Sequence, residues 1–260
     1  MKIHPLDGNL SDDEKIGFWD VFAETYSSEQ QGNMPAMITE WLSETGVLGI
    51  DKTLLEIGSG PGTYSVLFAP ESKHVTCLDS SVKMLNRLSV LAKHENIENI
   101  ELLNTDWNSF DSRKKWDVVA ATLCSFLGTP ESLDKMDSFA EGRCFMVSWV
   151  KNHGDDLQNK IWAKLGKEYS FTERNTDNLS ETLRNSGREF EIKEFSDKIH
   201  IELPIGEVVK RNAHTYSAFG LEKEAAAAIK EILGQCSENG IYVSDAVNTL
   251  QVAVWNPIVR

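Results

Sequence analysis

Residues 54–63 read LLEIGSGPGT, and this stretch decides the fold. An apolar run carries an acid at Glu56, and glycines follow at the alternate positions 58, 60 and 62. Glycine allows positive φ in a sharp turn, and it lets a ligand approach the backbone because no Cβ intervenes. The stretch therefore predicts a strand over Thr53–Ile57, a glycine turn, and a helix through Phe68 whose first N–H groups face a ligand.

Beyond this stretch, short β-rich runs alternate with helical stretches as far as residue 150. The runs are almost entirely apolar, which is typical of strands buried on both faces of a parallel sheet. Alternation with helices favours a sheet that helices cover on both sides. The predicted strands are His74–Leu78, Ile100–Leu103, Asp117–Ala121 and Cys144–Val150, and the predicted helices are Ser81–His94 and one that begins at Pro130.

Helical patterns also flank this core. Ser11 and Glu14 have the spacing of a capping box, and aromatic residues recur at helical spacing in the helix that follows. A second helix is predicted over Pro35–Thr45. Past residue 150 the predicted helices are 154–167, 179–185 and 221–233, and the predicted strands are 190–203, 242–243 and 249–255.

We therefore predict one α/β domain over residues 1–260, with a doubly wound, mostly parallel, seven-stranded sheet. Its C-terminal edge is expected to be antiparallel, with helices on both faces and additional helical lid elements. Residues 1–48 are expected to supply helices over the ligand site, residues 50–150 the binding core, and residues 151–240 helical insertions. Ligands of such sheets bind at the carboxyl ends of the strands, here the first, second and fourth.

Composition argues against several classes of protein. The chain has 26 Lys and Arg against 40 Asp and Glu, a formal charge of −14, and an acidic surface repels nucleic acids and anionic lipids. The longest uncharged apolar stretch, Val118–Pro130, is shorter than the ~20 residues of a membrane span. Residues 1–15 are polar and acidic, unlike a signal peptide. We expect a cytoplasmic protein without nucleic-acid or membrane partners.

Cysteine and histidine spacing gives no sign of a metal site. No two of the four cysteines lie within three residues of each other, and the six histidines show no ligand spacing. Cys77, Cys124 and Cys144 fall in strand-like stretches, where a free cysteine behaves as a small buried hydrophobe. We expect no metal and no disulfide.

The glycine pattern distinguishes two kinds of cofactor loop. A nicotinamide-dinucleotide loop reads G-x-G-x-x-G, and its third glycine would fall at Thr63. The pattern here is G-x-G-x-G after an acid at Glu56, which resembles the first motif of the class I S-adenosylmethionine-dependent methyltransferases. Further landmarks of that family follow in order: Asp79 after the second strand, Asp106 after the third, and the fourth strand running into Thr122.

This resemblance implies S-adenosylmethionine as cofactor and S-adenosylhomocysteine as product. It implies that Asp79 receives the ribose hydroxyls, that Met84 packs on the adenine, and that Asp106 and the Trp107 backbone meet the adenine edge. Tyr26 lies on a helix that the family often folds over the cofactor. The cofactor-binding residues expected are Tyr26, Glu56, Gly58, Ser59, Gly60, Gly62, Asp79, Ser80, Met84, Asp106, Trp107 and Thr122.

Several of these residues also have a simpler structural explanation. The glycines could form only a tight turn, and Asp79 could cap the helix that follows it. Asp106 could close a turn, because aspartate often does so. Met84 and Tyr26 could be packing residues, and the Trp107 side chain is expected to be one.

The resemblance implies methyl transfer, and we expect a small-molecule acceptor, with a protein side chain as second choice. Residues 122–128 and the helices within 151–240 are expected to form its pocket. No spacing marks a catalytic base, and the candidate pocket residues are His153, Tyr169, His214 and Tyr216. Two other functions stay open: a protein that binds S-adenosylmethionine without transferring its methyl group, and a nicotinamide-dependent oxidoreductase.

Overall fold

The computed structural model of the chain describes residues 11–124, 127–152, 157–166, 176–217, 219–234 and 240–258. The chain divides into two compact units. Unit 1 comprises residues 1–32, 152–171 and 197–248. Unit 2 comprises residues 33–151, 172–196 and 249–260.

The elements follow one another in the order predicted, except for one further α-helix, one 3₁₀ helix, and a single last strand where two were predicted. The helices are α1 (Asp12–Thr25), α2 (Met34–Glu44), α3 (Ser65–Phe68), α4 (Val82–His94), α5 (Pro130–Phe139), α6 (Leu157–Lys164), α7 (Thr176–Asn185), α8 (Ile205–Ser217) and α9 (Glu222–Gly234). The strands are β1 (Gly49–Ile57), β2 (Ser72–Asp79), β3 (Ile100–Asn104), β4 (Trp116–Thr122), β5 (Ala140–Asn152), β6 (Phe190–Pro204) and β7 (Ile241–Trp255). A short 3₁₀ helix spans Glu29–Gln31.

The seven strands form one sheet in the order β3-β2-β1-β4-β5-β7-β6. β1 pairs in parallel with β2 and β4, β2 with β3, and β4 with β5. The side chain of Ser196 bonds to that of Thr249, and the side chain of His200 to that of Asp245. The residue numbers therefore rise along β6 while they fall along β7, so the two strands are antiparallel. The predicted sheet, mostly parallel with an antiparallel C-terminal edge, is confirmed.

Both faces of the sheet are buried in unit 2, which explains the continuous apolar runs. On β4, Val118 and Ala120 belong to one apolar cluster, while Val119 and Ala121 belong to another. Residues of α2, α3 and α4 complete the first cluster, and residues of α5 and α7 complete the second. The prediction of helices on both faces is thus confirmed. Each buried Val or Leu contributes about 1.5–3 kcal/mol relative to exposure.

Unit 1 has a hydrophobic core of its own, formed by helices. Side chains from α6, α8 and α9 form one buried cluster that includes Ile161, Val208 and Ile229. The predicted capping box is present at the start of α1, where Ser11 and Glu14 bond reciprocally. The aromatic residues of α1 and Tyr26 pack against one another, mostly edge to face, with ring centroids 5.1–5.8 Å apart.

Four local predictions need correction. The helix after the glycine turn, α3, is a single turn of four residues, because Pro70 follows it closely and the glycines precede it. It therefore forms no extended N-terminal site for a ligand. α8 was not predicted, and β7 is one strand where two were expected. Cys124 lies just past the end of β4 rather than within a strand.

Candidate functional site

The turn between β1 and α3 is held against the end of β2. The backbone N–H groups of Gly58 and Ser59 donate to the carbonyl oxygen of Leu78, over 2.7 and 3.0 Å. The backbone φ angles are +65° at Gly58, +54° at Gly60 and +91° at Gly62. Side chains disfavour this region, so three glycines at alternate positions are what this turn requires.

The glycines of the turn have different roles. A Cβ on Gly62 would lie 2.3 Å from Cδ1 of Leu88, so this glycine lets the turn pack closely against α4. A Cβ on Gly60 would have no neighbour within 4 Å, so space is open there. Directly before Gly60, Ser59 is 5% exposed, and its buried hydroxyl has no hydrogen-bond partner. An unpaired buried hydroxyl beside open space is a feature that a polar ligand would satisfy.

Asp79, at the end of β2, joins the glycine turn to the start of α4. Its Oδ2 accepts from the N–H of Gly60 and its Oδ1 from the N–H of Ser81, both over 2.8 Å. Ser81, not Asp79, caps α4, because the Ser81 hydroxyl accepts from the N–H of Met84. The helix-cap explanation of Asp79 is therefore wrong. Asp79 is only half-buried, so a ligand can reach its carboxylate.

Asn104, at the end of β3, fixes the backbone around Asp79. Its amide donates to the carbonyl oxygens of Asp79 and Ser80, each over 3.0 Å. The N–H of Thr105 also donates to the Asp79 carbonyl. Sequence analysis missed Asn104. A polar residue that ends a predicted strand next to a site strand is the signal that could have identified it.

Glu56 is a buried carboxyl that ties three elements together beneath the turn. It is 0% exposed. The hydroxyl of Ser65 on α3 donates to its Oε2 over 2.5 Å, and the hydroxyl of Thr122 on β4 donates to its Oε1 over 2.7 Å. Burial, with a smaller contribution from the charge of Asp79, raises the pKa of Glu56 to about 7, although the hydrogen bonds from the two hydroxyls lower it.

The end of β4 contains an unusual backbone conformation. Leu123 has a φ of +56°, a region that costs a bulky residue about 1–2 kcal/mol. After it, the thiol of Cys124 donates to the carbonyl oxygen of Ile57 over 3.0 Å. Burial raises the pKa of Cys124, and the carboxylates of Asp79 and Glu56 raise it further, so the thiol stays protonated. Backbone strain of this kind is concentrated at functional sites.

Residues 54–140 match the family model described as a methyltransferase domain. The matched range contains the glycine turn, Asp79 and the end of β4. This part of the chain is a methyltransferase domain. The resemblance stated from the sequence is thus confirmed.

The known proteins to which this chain is similar differ from it widely in sequence. An uncharacterized protein of Haemophilus influenzae is 25% identical over 152 residues, 58% of this chain and 56% of that relative, so little more than half of the relative is spanned. A methyltransferase of Thiobacillus denitrificans, solved with S-adenosylhomocysteine, has a TM-score of 0.53 and 15% identity, covering 96% of this chain and 99% of that chain. The [4+2]-cyclase SpnF has a TM-score of 0.51 and 14% identity, covering 86% and 81%. These structures show the fold, and that one fold hosts several functions.

The residues expected around the adenine have clear local roles in the methyltransferase domain. Asp106 closes a turn, because its Oδ1 accepts from the N–H of Asn108 over 2.8 Å. The Trp107 side chain is 4% exposed and stacks with Phe110, with centroids 5.9 Å apart, as expected of a packing residue. Met84 is 3% exposed. A cofactor contact at these residues stays a prediction.

The remaining candidates lie in unit 1 or outside the described residues. The hydroxyl of Tyr26 accepts from the amide of Gln31 over 3.1 Å. His214 is 3.2 Å from the carboxylate of Glu24. Tyr216 is 1% exposed and donates to Gln158, so it is a core residue. His153 and Tyr169 fall outside the described residues. Among the helices that the structure describes, none has the length and hydropathy to cross a membrane.

Proposed function

We propose that the protein transfers the methyl group of S-adenosylmethionine to a small-molecule acceptor and releases S-adenosylhomocysteine. The observation that carries the proposal is the junction of the glycine turn with Asp79, at the carboxyl ends of β1 and β2. Gly60 and Asp79 are joined by a hydrogen bond of 2.8 Å, inside the methyltransferase domain.

The residues at this junction fit the cofactor. Gly60 faces open space, and the hydroxyl of Ser59 has no protein partner. The two oxygens of the Asp79 carboxylate lie side by side and suit two adjacent hydroxyls, as in a ribose. The carboxylates of Glu56 and Asp79 disfavour the two negative charges of a pyrophosphate and favour a ligand that carries positive charge. This supports S-adenosylmethionine over a nicotinamide dinucleotide.

The proposed chemistry asks little of the protein beyond alignment. When bound, S-adenosylmethionine supplies a methyl group already activated by its positive sulfur, so transfer is one in-line displacement. Asp79 would hold the ribose, the turn from Gly58 to Gly62 would carry the backbone contacts, and Ser80, Met84, Asp106 and Trp107 would enclose the adenosine. Fixing the donor in one orientation and excluding water lowers the barrier.

An acceptor screen tests the activity. Purified protein with S-adenosylmethionine is incubated with panels of small phenols, carboxylic acids, amines and thiols, and S-adenosylhomocysteine release is measured. Release that depends on one panel member, and that falls when Asp79 is replaced by alanine, is expected. Release only with peptides or protein extracts would overturn the small-molecule acceptor in favour of a protein one.

A second candidate is a protein that binds S-adenosylmethionine without transferring its methyl group. The likeness to a cyclase of the same fold favours keeping it. Tight binding of S-adenosylhomocysteine with no release from any panel would support this candidate. The small-molecule acceptor and the cytoplasmic location stay predictions.

A further inference from the structure

Glu56 is a buried acid without a counter-charge. It is 0% exposed, and each of its oxygens accepts from one neutral hydroxyl, that of Ser65 or that of Thr122. In the part of the chain that the structure describes, no Lys, Arg or His forms an ion pair with it. Buried charges are normally paired with opposite charge, because hydroxyls compensate only part of the lost hydration.

The titratable groups around Glu56 add no positive charge. Asp79 on β2 is a second carboxylate. Cys77 on β2 and Cys124 after β4 are thiols whose pKa values are raised by burial and by the nearby carboxylates, so both are neutral. α3 contributes only the Ser65 hydroxyl. The region beneath the glycine turn therefore has an unbalanced negative charge.

We propose that Glu56 makes this protein prefer S-adenosylmethionine to S-adenosylhomocysteine, by serving as the counter-charge of the sulfonium without touching it. The inference rests on the proposed function. The two ligands differ by one methyl group and one positive charge, so a buried carboxylate discriminates between them where an uncharged pocket would not. At an effective dielectric constant near 20, the attraction between two unit charges that are not in contact is still large enough to change the binding affinity about tenfold.

The same difference in charge would also affect the release of the product. Transfer removes the positive charge from sulfur, so the attraction to Glu56 disappears when the product forms. The product is then held less tightly than the substrate, which favours its release. Glu56 ionises with a pKa of about 7, so the preference is expected to be small at pH 6 and full at pH 8.5.

Isothermal titration calorimetry of both ligands at pH 6, 7 and 8.5 tests this inference on the wild-type protein and on Glu56→Gln. Glutamine keeps the shape and can bond to both hydroxyls, but it carries no charge. Asp117→Asn is the matched control, because Asp117 is a carboxylate at the opposite end of the same sheet. The ligands' own amino groups titrate near pH 8, so each affinity ratio is compared with that of Glu56→Gln at the same pH.

The expected result is an S-adenosylmethionine preference at pH 8.5 about tenfold greater in wild type and Asp117→Asn than in Glu56→Gln. Equal preferences at every pH would overturn the inference and leave the proposed function standing, because both ligands would still bind. Binding of neither ligand to wild type would overturn the proposed function itself. If Glu56→Gln does not fold, a wild-type preference that is constant from pH 6 to pH 8.5 overturns the inference.

Discussion

The carboxylates at the two ends of β1 and β4 have pKa values that are shifted in opposite directions. At the amino ends, Oδ2 of Asp117 accepts from the N–H and the hydroxyl of Thr53, over 2.8 and 2.7 Å. The Thr53 hydroxyl accepts in turn from the N–H of Asp117. These bonds hold the pKa of Asp117 below its usual value, so the charged form is stabilised.

At the carboxyl ends of the same strands, several energetically unfavourable features occur together. Glu56 has a raised pKa, Leu123 has a positive φ, and the Ser59 hydroxyl has no partner. Natural proteins tolerate such departures from good local structure mainly at functional sites. The comparison teaches that the amino ends are arranged for stability, whereas the carboxyl ends are arranged for a ligand. Changes at the two ends should therefore affect different measurements.

The largest effect is expected at Gly62, which belongs to the carboxyl ends but serves packing. Gly62→Ala adds a Cβ 2.3 Å from Leu88 at a φ of +91°. Overpacking and backbone strain together should lower the free energy of unfolding by about 3 kcal/mol. The control is Gly46→Ala, where φ is +68° and no atom lies within 4 Å, with an expected loss of about 1 kcal/mol. Equal losses in urea denaturation would show that Leu88 gives way freely.

The second prediction compares the two carboxylates directly. Asp79→Ala should weaken S-adenosylhomocysteine binding about thirtyfold, roughly 2 kcal/mol, because two charge-assisted hydrogen bonds to the ribose are lost. Asp117→Ala should lower stability, since the Thr53 bonds are lost, and leave that affinity within about twofold. Calorimetric titration and urea denaturation measure the two properties. An unchanged affinity in Asp79→Ala would remove the ribose role.

The third prediction concerns pH and stability. The folded state holds the Glu56 proton more tightly than the unfolded state, so stability that is present at low pH is lost as pH rises through about 7. Glu56→Gln removes this loss. Its advantage in unfolding free energy over wild type should grow by about 1 kcal/mol from pH 6 to pH 8. A constant difference would contradict the raised pKa.

The smallest effect is expected in α1, whose role as a cover over the cofactor is a prediction from the sequence. If Trp19, Phe22 and Tyr26 form part of a lid, amide exchange in residues 14–30 should slow when S-adenosylhomocysteine is added. Hydrogen-exchange mass spectrometry measures this change. Full protection without ligand, and no change with it, would instead mark these aromatic residues as permanent core.

Much of unit 2 could be predicted because its signals are local. Strands buried on both faces produce continuous apolar runs, and the positive φ angles at positions 58, 60 and 62 favour glycine there. α8 was missed because its apolar residues alternate with polar ones of modest helix propensity, and their burial depends on packing with α9. β7 was divided because Asp245 and Asn248 interrupt its apolar pattern, although pairing with β6 keeps the strand continuous.

The site was predictable only where a backbone landmark marks it. Asp79 follows a strand and a glycine turn precedes it, so its place could be inferred. The partners that fix the site could not be inferred in this way. Asn104 donates to the Asp79 carbonyl oxygen from the neighbouring strand, and Ser65 donates to Glu56 from the next helix. Such contacts depend on tertiary geometry, which sequence spacing does not report. The backbone strain at Leu123 could not be predicted either, because nothing about a leucine in the sequence indicates a positive φ.

Ligand binding at the carboxyl ends of β1 and β2 is tested most directly by calorimetric titration of the wild-type protein. S-adenosylmethionine and S-adenosylhomocysteine should each bind one site with micromolar or tighter affinity, and NAD should produce no binding heat. Binding of NAD, with no binding of either adenosyl ligand, would contradict the assignment of the glycine turn and Asp79 to S-adenosylmethionine.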